Sequence, residues 1–233
     1  MNLSYIKNLT YHNVPYLFHL NLCYIYVRCF YSIVFNLLKN TNKKFNTLSN
    51  YKQKYITKNI VKSFNLLFLL LHSTPNIIYP IYFYNTWNNN LLYKAALFYS
   101  SNDLAALTYI SKLPSNTRNH HITTTVLSII SVNIDFNSSL LGKMIFIYCF
   151  FSTIAFPVNI YLGMRHLYKE EKLVTFKKYT RNIYALSLSL NWSWHIFTSI
   201  KNYNTLGISH LIYFFCLFWI IKDDIILMKW LNN

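Results

Sequence analysis

Apolar residues run through this chain in seven stretches, with the charged residues gathered mostly between them. The stretches fall at about 16–38, 60–84, 91–110, 120–135, 140–167, 182–200 and 206–228. A helix needs roughly 20 residues to cross the hydrocarbon of a bilayer. The pattern therefore predicts an all-α, multi-pass transmembrane helix bundle of about seven spans. The fourth stretch is short and polar, with His120, His121, Thr123, Thr124, Thr125, Ser128 and Ser131. It is expected to be surrounded by other helices and to face a cavity. Pro157 predicts a kink in the fifth stretch, where a backbone hydrogen bond is lost, and Pro75 and Pro80 predict a bend or break in the second. The lysine-rich segment 39–59 reads as an extended linker or a surface-lying helix. Two regions follow: residues 1–59, an N-terminal span with a basic cytosolic connector, and residues 60–230, the membrane domain.

Composition agrees. The chain is 54% hydrophobic and 12% charged, against about 25% charged in an ordinary soluble domain. The net charge of +16 sits in short connections, where it meets anionic lipid headgroups, so a nucleic-acid partner is set aside in favour of membrane lipids. Cys23, Cys29, Cys149 and Cys216 all fall in apolar stretches and form no CxxC, so no disulfide framework is expected.

Basic residues also set the orientation. Counted over seven alternating spans, 17 Lys and Arg fall on one side, chiefly in 39–62 and 165–181, and 4 on the other. The positive-inside rule then predicts a lumenal N-terminus and a cytosolic C-terminus. The sequons Asn8-Leu9-Thr10 and Asn137-Ser138-Ser139 fall on the lumenal side.

Candidate chemistry centres on the adjacent pair His120-His121. Imidazole serves near neutral pH as general base, nucleophile or metal ligand. Asp103 lies within the third apolar stretch, where a carboxylate costs about 2.5–3.5 kcal/mol and requires a partner. A histidine is the expected one; Arg28 either pairs with Asp103 or snorkels. Helical spacing puts His120 on one face with Thr124, and His121 with Thr125. His195 either completes this polar site or bonds to another helix's backbone. Asp223-Asp224 reads as a solvated span end. A metal centre is not expected: the eight histidines form no HxxxH or HxxHH box, which di-iron membrane hydroxylases need.

An Asp-bearing span, a short basic turn and a span opening on His-His resembles the TLC domain, shared by translocating-chain-associated proteins and ceramide synthases. The matching residues are Tyr99 and Asp103, Lys112-Leu113-Pro114, and His120-His121-Ile122-Thr123-Thr124. Phe156-Pro157-Val158-Asn159 resembles the family's Ser/Thr-Pro-x-x-Asn segment, and Trp194 stands where the family often carries a Trp. The resemblance implies a lipid-metabolic protein of the endoplasmic reticulum. It implies ceramide-synthase-like N-acyl transfer from acyl-CoA as co-substrate, with no bound cofactor. His120, His121 and Asp103 would be catalytic, and Tyr99, Thr124, Asn159, Trp194 and His195 would bind substrate. Ceramide synthases carry further acids on the span after the pair, whereas residues 140–167 here contain no Asp or Glu. A non-catalytic lipid-binding or lipid-sensing protein, and a generic seven-span structural or receptor protein, remain the alternatives.

Overall fold

The computed structural model describes residues 3–233, with side chains from Pro15 onward. Among these the chain is all-α, with no strand. The helices are α1 (Leu3–Thr41), the short α2 (Lys43–Asn46), α3 (Asn50–Ser73), α4 (Tyr79–Tyr84), α5 (Asn89–Tyr109), α6 (Ser115–Ser131), α7 (Leu140–Ile154), α8 (Phe156–Met164), α9 (Val174–Lys201) and α10 (Ile208–Asn232). The sequon at Asn8 lies outside the residues with described side chains. Asn137 lies between α6 and α7 and is exposed.

Each predicted stretch is helical, yet the helices differ in how well they suit a bilayer. Pro15–Thr41 and Asn50–Tyr84 are long and apolar enough to cross a membrane. Leu140–Ile154 and Phe156–Met164 make a third if taken as one span bent by 41°. The bend falls at Ala155, beside Pro157 as expected. Pro75 and Pro80 instead leave the second stretch continuous. The chain passes through a π-helical turn, Thr74–Ile78, which absorbs the lost hydrogen bonds before α4. α4 then ends on Asn85 at φ 49°, a left-handed cap that asparagine tolerates.

α5, α6, α9 and α10 carry more polar residues, and these point mainly inward. Ser100, Ser101, Asn102 and Asp103 of α5 are all fully buried. The outer faces are apolar: Phe64, Phe68 and Leu71 on α3, Leu186, Leu190 and Phe197 on α9, and Leu211, Phe215 and Phe218 on α10 are exposed. A soluble protein rarely presents so extensive an apolar surface.

The segment 39–59 is not an extended linker. Asn42 caps α2 by accepting from Phe45 N, Ser49 caps α3 by accepting from Lys52 N, and α3 runs unbroken to Ser73. Lys58 and Lys62, expected in a cytosolic connection, are therefore buried on its inner face. Removing these two from the count leaves the basic bias intact.

The packing order sets the site. α6 lies between α5 and α10, α3 packs along α8, and α7 packs along α9. Gly163 lets α8 approach α3 closely: a Cβ there would sit 3.0 Å from Ile60 Cγ1 and 3.4 Å from Ile56 O.

Candidate functional site: two carboxylate–histidine pairs on one cavity

Asp103 is fully buried and meets three side chains from two neighbouring helices. Lys62 Nζ on α3 lies 2.6 Å from Oδ1, and Thr124 Oγ1 on α6 donates to Oδ2 at 2.5 Å. His121 Nδ1 lies 2.8 Å from Oδ1, at ion-pair distance but off the axis of a hydrogen bond. Nε2 of the same ring is buried with no partner among the described residues. Arg28 is not involved: its Nη1 donates to Thr108 Oγ1 at 3.1 Å and its guanidinium lies over Tyr109.

The second histidine has its own acid. His120 Nδ1 lies 3.4 Å from Asp223 Oδ2 on α10, and Thr117 Oγ1 donates to Asp223 Oδ1 at 3.2 Å. The faces of α6 thus pair differently from expectation. His121 acts with Thr124, three residues on, and His120 with Thr117, three residues back; Thr125 Oγ1 bonds to the His121 carbonyl instead. Adjacent residues on a helix diverge by about 100°, so each imidazole reaches a different helix.

Asp224 corrects the reading of Asp223-Asp224 as a solvated span end. It is buried, accepting from Tyr184 Oη at 2.7 Å and, at 3.4 Å, from Tyr148 Oη. α10 thus turns one face inward, while Lys222 on it stays at the surface.

These groups surround a cavity of about 380 Å³ walled by α3, α5, α6, α7, α8, α9 and α10. His120, His121, Lys58, Lys62, Asp223 and Asp224 form its polar wall. Leu66, Phe151, Val158, Leu162, Leu188 and Leu227 form an apolar one. Ligand pockets of drug-sized molecules span about 300–1,000 Å³.

Of the expected substrate-binding residues, Tyr99 and Asn159 line this cavity. Thr124 lies behind it, on Asp103. Trp194 and His195 do not reach it. His195 sits one turn beyond the lining residue Asn191, with Nδ1 2.9 Å from Asn191 O and Nε2 3.1 Å from Tyr213 Oη. Trp194 packs in the apolar cluster around Tyr213 and Leu217. Helix geometry is the reason: α9 presents Tyr184, Ser187, Leu188 and Asn191 inward, and the next turn meets α10 rather than the cavity.

A cation is sterically conceivable beside the pair. One ligand atom each from Asp103, His120 and His121 lie within 4.8 Å of one another. The Lys62 ammonium on Asp103 Oδ1 opposes it, because the same oxygen already carries a positive partner. Sequence reasoning missed Lys58, Lys62, Tyr148, Tyr184, Asp223 and Asp224. The spacing of Lys58, Lys62 and Leu66 at four-residue steps, which shares one helix face, was the available signal. No family model, curated protein or solved structure matches this chain.

Proposed function

We propose that this is a seven-span membrane enzyme of lipid metabolism with a TLC-like bundle. In this reading it transfers an acyl group from acyl-CoA to a lipid amine in the endoplasmic reticulum. The N-terminus is lumenal, the C-terminus cytosolic, and the basic end of the cavity at Arg165 faces the cytosol. One observation carries the reading: His121 lines an amphipathic cavity with one ring nitrogen unpartnered and the other against a buried carboxylate.

The chemistry follows from that arrangement. As the amine nitrogen attacks the thioester carbonyl, His121 Nε2 takes the proton the nitrogen must lose. Asp103 stabilises the imidazolium formed, and Thr124 and Lys62 hold the carboxylate in place. The carbon–sulfur bond then breaks, and the thiolate takes the proton back from the imidazolium, giving amide and free thiol. His120, on Asp223, holds the second position on the same wall.

The test is acyl transfer by membranes containing the chain across a panel of lipid amines. His121→Ala should lower turnover by about 10²–10⁴-fold, the usual worth of a general base, while the protein stays folded in detergent. Loss of no activity in His120→Ala and His121→Ala together would sink the reading. A divalent-metal centre on Asp103, His120 and His121 is the second reading, favoured by their mutual distances. It requires activity that a chelator abolishes and added zinc restores.

A further inference from the structure

Lys58 has no partner that explains its burial. It is 5% exposed and lines the cavity. Among the described residues it has no carboxylate within ion-pair distance and donates no hydrogen bond. The nearby acids are engaged elsewhere: Asp103 with Lys62, His121 and Thr124; Asp223 with His120 and Thr117; Asp224 with two tyrosine hydroxyls. An isolated buried ammonium is costly, and proteins pair such charges.

A second cation, Arg165, lines the same cavity. Lys58 Nζ lies 5.4 Å and Arg165 Cζ 5.8 Å from the centroid of the same Tyr55 ring. Arg165 is further braced on the Trp230 ring at 4.3 Å, and its Nε donates to His166 Nε2, which leaves the rest of the guanidinium fork free. Both cations line the cavity, where a bound anion would neutralise them. Asn159, also on the lining, adds an amide donor. Beyond them the apolar wall of Leu66, Phe151, Val158 and Leu162 receives a chain but no charge.

We infer that Lys58 and Arg165 form a subsite for a phosphate group carried by an amphiphile whose chain lies along the apolar wall. Phosphate fits better than a carboxylate, since its spread of oxygens answers a point charge on one side and a planar fork on the other. The inference deepens the reading of this cavity as a lipid site and rests on it. The phosphate belongs either to a lipid headgroup or to a soluble coenzyme that delivers the chain.

Binding to the purified protein in neutral detergent tests it. Oleoyl lysophosphatidate should bind at least 10-fold more tightly than monooleoylglycerol, which has the same chain without phosphate. Lys58→Met should remove that preference and leave monooleoylglycerol affinity unchanged, and Arg165→Met should weaken lysophosphatidate alone. Ligand-free Lys58→Met should be at least as stable as the wild type, because it deletes an unpaired charge; a purely structural lysine would give the opposite. Displacement of lysophosphatidate by coenzyme A assigns the site to a soluble coenzyme, and failure to displace assigns it to a headgroup. Equal binding of the two oleoyl lipids by the wild type, which needs no variant, overturns the inference, as does unaltered lysophosphatidate binding by Lys58→Met. Because binding needs no turnover, phosphate preference in a protein without transferase activity would sink only the catalytic reading. Turnover indifferent to Lys58 would sink only this one.

Discussion

Lys62 Nζ lies 2.6 Å from Asp103 Oδ1, joining α3 to α5 where both side chains are buried. His121 and Thr124 of α6 converge on the same carboxylate, so this one group ties three helices together. Removing one partner of such a pair leaves a charge stranded, which costs about 3–5 kcal/mol. Lys62→Met should therefore destabilise the protein by about 3 kcal/mol in chemical denaturation. Adding Asp103→Asn should cost much less than its effect alone, since the stranded charge is then gone. Additive losses would mean that the two side chains do not interact.

The two carboxylate–histidine pairs are not equivalent. Asp103 is fully buried and 2.8 Å from His121, whereas Asp223 is 20% exposed and 3.4 Å from His120. An electrostatic partner acts more strongly where water is excluded. Under the proposed transfer, Asp103→Asn should lower kcat at least 100-fold, and Asp223→Asn about 10-fold or less. Equal losses would assign the proton transfer to both histidines or to neither.

Asp224 depends on tyrosine hydroxyls rather than on a cation. Tyr184 Oη is 2.7 Å away and Tyr148 Oη 3.4 Å. Leaving a buried acceptor short of a donor costs about 1–3 kcal/mol. Tyr184→Phe should destabilise by about 2 kcal/mol and Tyr148→Phe by less than half of that, measured as thermal unfolding in detergent. The reverse order would show that the longer contact is the stronger one.

Much of this was legible in the chain itself. Hydropathy located every major helix, Pro157 located the break between α7 and α8, and the expected histidine partner of Asp103 is found in His121. What escaped had a common cause. Lys58, Lys62, Asp223 and Asp224 read as loop or end charges because a linear hydropathy pattern cannot tell a charged residue in water from one turned into a polar cavity. His195 was open between the polar site and another helix's backbone, and it is satisfied by its own helix backbone together with Tyr213. Only the order in which α5, α6 and α10 pack decides these cases, and that order depends on contacts distant in sequence.

His166 supplies a pH dependence in the turn after α8, beyond the end of the bent span at Met164. Burial, then the nearby cations Arg165, Lys52 and Lys44, push its imidazole down to about 4 from the usual 6.5. The ring edge meets Tyr55, and Nε2 accepts from Arg165 Nε at 3.3 Å, a bond that protonation would destroy. Between these two values the unfolded chain binds a proton that the folded one refuses. Stability therefore rises with pH across that window, being complete above about 6.5 and lost as the pH falls toward 4. The slope is below one proton per molecule, since a half-buried ring is partly screened. His166→Gln keeps an acceptor that does not titrate, so its unfolding midpoint between pH 5 and 7 should vary less than that of the wild type. A variant with the same pH slope as the wild type would place the sensitive group elsewhere.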